Sequence, residues 1–532
     1  MSTFRKVIGV NDSPAIIIPG AETVTLTYRD LSSLIAQFQQ LFYAEPLRSI
    51  APLQSAIAIS LPNSLEFAVS FLATTTAGRI AAPLNSNYKK EEFDFYLEDL
   101  KAPAVVVKKG THLDTGLEIC KSAKANKAKL IEIWWDHSLR RLEFEVYHEK
   151  FLTVEYTSIG KPTLQNHAVE LPGNCSPGDV AMILHTSGTT GRPKAVPLTH
   201  LNIVTSMKNI THTYDLSPSD RTYLVMPLFH VHGLIGAFLS TLYSGGSVII
   251  PPKFSAHLFW DDFIEYRANW YSAVPTIHMI LLNTKVPEHL PKIRFIRSCS
   301  SALAPPTFHK LEATFKAPVL EAYAMTEAAH QMTSNNLPGK GLERSPGTIG
   351  VGQGVEVIIL DDDGYAVPEG VVGEVSICGS NVTSGYINNE KANREAFTFV
   401  HSKGKQFFRT GDQGKIERGY VILTGRIKEL INRGGEKISP IELDGVMLGH
   451  PDVDEAVAFG VDDAKYGQVV HAAIVLKPGS KLTDKQLHEY LSTKLSSFKV
   501  PQRFYFVSKL PKTATGKIQR RKMVDAFVKP KL

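Results

Sequence analysis

Short apolar runs alternate with helical stretches through the first part of the chain. Residues 56–61, Ala-Ile-Ala-Ile-Ser-Leu, form a compact run with β-branched members and predict a buried strand. Pro62-Asn63-Ser64 breaks it and offers a cap. Residues 65–77 then carry apolar positions at helical spacing, and Gly78 ends them. Residues 80–84 predict the next strand, 91–100 a helix, and 104–107 another strand. The rhythm returns at 180–184 and at 199–211. Strand–helix–strand alternation predicts the α/β class, with parallel sheets covered by helices.

The texture changes after about residue 345. Gly, Asp and β-branched residues dominate, and 355–360, 373–377 and 419–423 predict hairpins and a distorted β-barrel. The last stretch reads as a helix at 440–448, strands at 453–461 and 469–476, and a capped helix at 483–495. The expected organisation is a large N-terminal domain, 1–427, of parallel-sheet α/β subdomains plus the barrel. A small α+β C-terminal domain, 428–532, follows, with the boundary near Lys428. Residues 126–152 show no dominant period and read as surface. Residues 231–250 form the most apolar long window. His232 and several Gly and Ser positions within it favour buried core over a membrane span.

Composition narrows the classes. With 43% apolar and 21% charged residues, the 532-residue chain matches ordinary globular usage. A net charge of +6 over that length is mild, and no basic block is interleaved with aromatics, so no nucleic-acid partner is expected. The four cysteines, Cys120, Cys175, Cys299 and Cys378, are far apart and suggest neither metal spacing nor a disulfide framework. The N-terminal residues carry no long apolar segment, so no secretory signal or membrane partner is expected.

The candidate chemistry begins at His185-Thr-Ser-Gly-Thr-Thr-Gly-Arg-Pro-Lys194. Its glycines allow several backbone N–H groups to converge on one anion. Hydroxyls add donors and Lys194 adds a cation, so the loop suits a polyphosphate. It is not a Walker A loop, because the lysine lies three residues beyond Gly191.

Four further motifs follow in order: Tyr323-Ala-Met-Thr-Glu327, Arg409-Thr-Gly-Asp412, Gly425-Arg426 and Pro511-Lys-Thr-Ala-Thr-Gly-Lys-Ile-Gln-Arg520. With the glycine loop, they resemble the adenylate-forming superfamily of acyl-CoA synthetases, plant 4-coumarate ligases, luciferases and adenylation domains. The resemblance runs from about Leu26 to Met523. Ala324 departs from the glycine usual there. Within the superfamily, the text around Arg297–Pro305, 321–332, Ser334–Pro338 and 425–440 is most similar to plant and fungal oxalyl-CoA synthetases.

That resemblance implies a ligase that joins ATP and a carboxylic acid into an acyl-adenylate, then passes the acyl group to CoA. It implies catalytic roles for Lys517, Thr326 and His230. ATP or AMP would be held by Thr186, Ser187, Gly188, Thr189, Thr190, Gly191, Lys194, Ser301, Ala302, Glu321, Ala322, Tyr323, Thr326, Asp412, Arg426 and Lys517. Mg²⁺ would sit on Glu327, since a hard cation between phosphates takes one or two carboxylates. The acid, expected to be oxalate, would meet His230, Ser300 and His330, whose polar groups suit a second carboxylate. CoA would lie against Gly434, Gly435 and Lys437, and the C-terminal domain would be mobile about Lys428.

Each position has a plainer reading. Lys517 and Lys437 could be solvated lysines, Asp412 a turn residue, Arg426 half of a surface ion pair, and His330 a packed interior side chain. His232 reads as a satisfied core histidine. Two other functions stay open: a CoA ligase for an aromatic, coumarate-like or medium-chain acid, and a non-catalytic nucleotide-binding interaction protein. Finally, Pro530-Lys-Leu532 approaches the Ser-Lys-Leu address read by the peroxisomal import receptor. The expected location is the peroxisomal matrix, or otherwise the cytoplasm.

Overall fold

The computed structural model describes residues 3–4, 9–161, 175–186, 192–513 and 516–528. The chain folds as two compact units. The first comprises 1–272, 324–331 and 380–390; the second comprises 273–323, 332–379 and 391–532.

The first unit is built on an eight-stranded sheet. Strand Ala56–Ile59 lies between Ile80–Pro83 and Ala104–Lys108, parallel to both. All four of its residues are buried, because helices fill the crossovers. The helix Leu65–Thr76 starts where Ser64 Oγ accepts the Phe67 N–H at 3.2 Å, a cap contributing about 1 kcal/mol. It ends near Gly78, whose φ of +74° suits a residue without Cβ. Lys90–Leu100 and Glu118–Ala125 form the next two crossovers. In the same unit, Pro14–Ile18, Arg221–Tyr223 and Ser247–Ile249 make a second parallel group. Residues 231–243 are helical, with a π-helical turn at Leu234–Leu239, and lead into the buried strand Ser247–Ile249 as expected. No described helix is long and apolar enough to cross a membrane.

Two places differ from the sequence reading. Residues 126–152 are not surface: Lys129–Asp136 and Arg141–Tyr147 pair as an antiparallel hairpin at one side of the sheet. Their charged members disguise the burial. Lys129 meets Glu155 at 2.7 Å, and Glu143 is held by Arg141 and Ser158. Second, a strand at Lys194–Thr199 stands between the glycine loop and the following helix. It runs antiparallel to Val180–Thr186, with Lys194 opposite Thr186.

In the second unit, Phe295–Ser298 runs parallel to Val319–Met325 and sets Ser298 beside Glu321. The hairpin-rich stretch forms a five-stranded antiparallel sheet, with Asp412 on Lys405–Glu417 opposite Arg426 on Tyr420–Arg426. The C-terminal residues build a further five-stranded sheet, and Pro440–Leu448 and Asp484–Ser492 are helices. Ile431, Leu443, Met447, Val470, Ile474, Leu487, Leu491 and Phe504 close a core there. Truncating one such buried leucine typically costs about 2–5 kcal/mol.

Candidate functional site

The first unit positions one group of side chains around the helix that begins at His200. Thr199 caps this helix: its Oγ1 accepts the Asn202 N–H at 3.1 Å, and Asn202 Oδ1 accepts the Thr199 N–H at 2.9 Å. Asn202 Nδ2 then donates to the carbonyls of Ser380 and Val382 at 2.9 and 3.0 Å. The tethered segment continues to Thr383, which donates its N–H to the Glu327 carbonyl at 2.7 Å and its hydroxyl to the Pro197 carbonyl at 2.7 Å. Tyr386 is thereby held so that its hydroxyl donates to Glu327 Oε1 at 2.9 Å. Burial and the neighbouring carboxylate push that hydroxyl's pKa up, so Tyr386 stays a donor. Lys194 Nζ lies 4.6 Å from the centre of the Tyr386 ring. Lys194 and Glu327 thus meet on Tyr386, and Thr326 precedes Glu327 in the turn Thr326–Ala328. Sequence reasoning missed Tyr386 because no motif surrounds it.

Of the loop itself, Thr186 and Lys194 are described. Ser187, Gly188, Thr189, Thr190 and Gly191 lie outside the described residues, as do Thr515 and Pro530-Lys531-Leu532. His185, which opens the motif, places Nε2 2.8 Å from Asp99 Oδ2.

The histidines separate clearly. His232 is fully buried and its Nε2 lies 2.7 Å from Ser272 Oγ, as expected for a core histidine. His230 is half-buried, and its Nδ1 accepts the His232 N–H at 3.2 Å. His330 is buried, with its ring 5.4 Å from that of His232. Its backbone takes φ +94° directly after Ala329 at φ +47°. Two successive left-handed residues without glycine are costly and mark a conformation held by its surroundings. The ring fills the place where a side chain at Gly236 would stand: a Cβ there would fall 2.7 Å from His330 Cε1.

The second unit gathers the other group. Asp412 is buried; it accepts the Tyr323 hydroxyl at Oδ2, and Arg426 Nε stands 3.2 Å from its Oδ1. Asp412 thus lies buried on the strand Lys405–Glu417 and not in an exposed turn, while its partner Arg426 keeps 36% of its side chain exposed. Lys517 is half-buried, and its N–H donates to Thr513 Oγ1 at 3.1 Å. Desolvation first, and then Arg426, pull its ammonium pKa below the ordinary lysine value, while Asp412 and Glu429 oppose that shift. The preceding Gly516 has φ +82°, and its carbonyl accepts Thr276 Oγ1 at 3.3 Å. Glu321 and Ala322 are buried on the strand Val319–Met325. Ser301 and Ala302 are exposed, and Ser300 has φ +73°. Gly434 and Gly435 turn between short strands at φ +60° and +93°, with Lys437 exposed beside them. Lys428 is exposed in the turn Ile427–Glu429. Among the described residues, no cluster of three or more His, Cys, Asp or Glu could hold a metal unaided.

Glu321 carries a testable electrostatic signature. Its carboxylate accepts the Gly347 N–H at 2.9 Å, yet burial raises its pKa to about 7. The folded value lies above the unfolded one, so the stability it contributes is complete below about pH 4.5 and is lost as pH rises through 7. Glutamine mimics the protonated acid. The stability of Glu321→Gln relative to the parent should therefore rise by about 2 to 2.5 kcal/mol between pH 5 and 8. Urea midpoints across that range measure it, and a difference independent of pH would contradict it.

Known proteins resemble this chain in sequence and fold. The AMP-binding enzyme family matches residues 5–387, and the AMP-binding enzyme C-terminal domain matches residues 442–517. The oxalate–CoA ligase of Saccharomyces cerevisiae is 56% identical over 99% of this chain and 97% of its own length. The oxalate–CoA ligase of Arabidopsis thaliana is 45% identical over 89% of this chain and 88% of its own. Among solved structures, ATP-bound MatB from Rhodopseudomonas palustris superposes with a TM-score of 0.84, at 28% identity over 99% of both chains. The chain belongs to the AMP-binding enzyme family.

Proposed function

We infer that the chain is an ATP-dependent, AMP-forming acid–CoA ligase whose acid is oxalate. The observation that carries the reading is its 56% identity, over nearly its full length, to the yeast oxalate–CoA ligase. In the first step an oxalate oxygen forms a bond to the α-phosphorus of ATP, and the bond to pyrophosphate breaks. In the second the CoA sulfur bonds the acyl carbon and AMP leaves.

The first step brings anions together, and fixed cations offset that repulsion. Lys517 supports this role by its partial burial beside Arg426 and Asp412, since a desolvated cation acts more strongly than a hydrated one. Asp412, oriented by Tyr323 and Arg426, suits the ribose hydroxyls as an acceptor. Glu327 fits Mg²⁺ by chemistry: it is a buried carboxylate oriented by Tyr386, and Mg²⁺ needs only one or two carboxylates where phosphates and waters complete its octahedron. Bound there, the ion would neutralise phosphate charge. His230, His330 and Ser300 are the proposed donors to oxalate. Gly434, Gly435 and Lys437 are the proposed CoA contacts, and the open turn at the two glycines leaves backbone accessible. Peroxisomal import through Pro530-Lys531-Leu532 belongs to the same reading and rests on the sequence of the tail.

Acid-dependent exchange of pyrophosphate into ATP, run over a panel of acids, tests the function; exchange greatest with oxalate is the expected result. The hinge has its own test. Lys428 lies in a short exposed turn between two sheets, where a rotation could be absorbed. Lys428→Pro fixes φ and should slow thioester formation about tenfold more than adenylation. Equal loss in both steps would place the hinge elsewhere.

A further inference from the structure

Arg520 closes the motif that carries Lys517, and its guanidinium joins three separate elements. Its Nη2 lies 2.6 Å from Asp444 Oδ2 on the helix Pro440–Leu448. Its Nη1 donates to the Ala458 carbonyl on the strand Val453–Asp463. Its Nε lies 3.4 Å from Glu429 Oε2, in the turn next to Lys428. Asp444 Oδ1 in turn accepts the Ala458 N–H at 2.7 Å, so the carboxylate is fixed from two sides. Arg521 Nε stands 3.6 Å from the other Glu429 oxygen. The guanidinium fork can serve such divergent acceptors at once, whereas an ammonium is a single point charge.

The sequence distance makes this cluster informative. Arg520 is three residues from Lys517, and Glu429 is one residue from Lys428. The turn that presents the lysine is further pinned by its own bonds: the Thr513 N–H donates to the Lys517 carbonyl at 2.8 Å, and the Gln519 N–H to the Pro511 carbonyl at 2.9 Å. Rotation at Lys428 would carry Glu429 with the C-terminal residues, because Glu429 lies on their side. We propose that Arg520 and Glu429 are positioning residues that weld the C-terminal end of the hinge to the Lys517 turn, so that closing the hinge sets the lysine at the phosphate. This rests on the reading of Lys517 and Lys428 given above.

The weld predicts a selective defect. Glu429→Gln removes the hinge arm while leaving the Arg520–Asp444 pair intact. It should lower kcat for oxalate-dependent pyrophosphate exchange about tenfold, with KM for ATP within about twofold and Tm unchanged. Enzyme preloaded with adenylate and then mixed with CoA should form thioester at the parent rate. Arg520→Lys, which also loosens the Asp444 and Ala458 contacts, should show at least the same kcat defect, and the double variant should be no worse than Arg520→Lys alone, because the Glu429 link is already cut in it. Full-length protein is used throughout, with Lys517→Ala as reference. Normal exchange in Glu429→Gln while Lys517→Ala is inactive would overturn the weld alone. Equal loss of both half-reactions in Glu429→Gln would overturn it as well. Normal exchange in Lys517→Ala would overturn the reading of the lysine, and the weld with it.

Discussion

Replacing Lys517 with alanine is expected to reduce adenylate formation by about 100- to 1,000-fold, the usual loss when one preorganised charge donor is removed from a transition state. The same variant, preloaded or supplied with acyl-adenylate, should still form thioester within a few-fold of the parent rate. The split follows from the charge that each step develops. Attack on the α-phosphorus accumulates negative charge, whereas thioester formation releases AMP from a carbonyl carbon. Arg426 and Asp412, the proposed nucleotide contacts, remain in the variant, so KM for ATP should move less than kcat. Pyrophosphate exchange and single-turnover thioester formation measure the two halves. Undiminished exchange would remove Lys517 from the chemistry.

The second large effect concerns the acid. His330→Ala should lower kcat/KM for oxalate by about 10- to 100-fold, the value of one or two lost hydrogen bonds to a charged group. Hexanoate and a cinnamate should remain poor substrates of the parent, because a fatty chain leaves buried polar groups unpaired at about 1–3 kcal/mol each. In the variant the ratio of oxalate to hexanoate activity should fall. Gly236→Ala provides an orthogonal check. A Cβ at 2.7 Å from Cε1 must push the His330 ring aside, so this variant should reproduce part of the oxalate defect without touching the histidine itself. If His330→Ala lowers oxalate and hexanoate turnover equally, the histidine does not select the acid.

Much of this was legible in the chain. The helix Leu65–Thr76 follows from Ser64 and Gly78, and Pro440–Leu448 from Ser439 and its neighbouring proline, because caps and breakers act locally. The hairpin Lys129–Tyr147 was not legible. Leu142, Phe144 and Val146 alternate as a strand should, but buried Lys129, Glu132 and Glu143 interrupt the signal. Their burial depends on partners distant in sequence, such as Glu155 and Ser158, which periodicity cannot reveal. The site divides in the same way. Asp412 and Arg426 belong to motifs, and the pairing of their strands places them opposite each other. Tyr386 reaches Glu327 only through the tether that Asn202 and Thr383 provide, and Glu429 reaches Arg520 only through the C-terminal fold. Neither contact has a local pattern. His232 was legible as a core histidine, with Ser272 as its partner, whereas the packing of the His330 ring against Gly236 needed the structure.

Activation of oxalate for transfer to CoA can be measured directly. Purified full-length protein is mixed with ATP, Mg²⁺ and CoA, and AMP release is followed with oxalate, hexanoate or a cinnamate at equal concentration. AMP is expected to appear with oxalate in a one-to-one ratio with oxalyl-CoA, at a rate at least about tenfold above either other acid. AMP release fastest with hexanoate or the cinnamate would contradict the oxalate assignment, and no acid-dependent AMP release from folded protein would contradict the ligase reading itself.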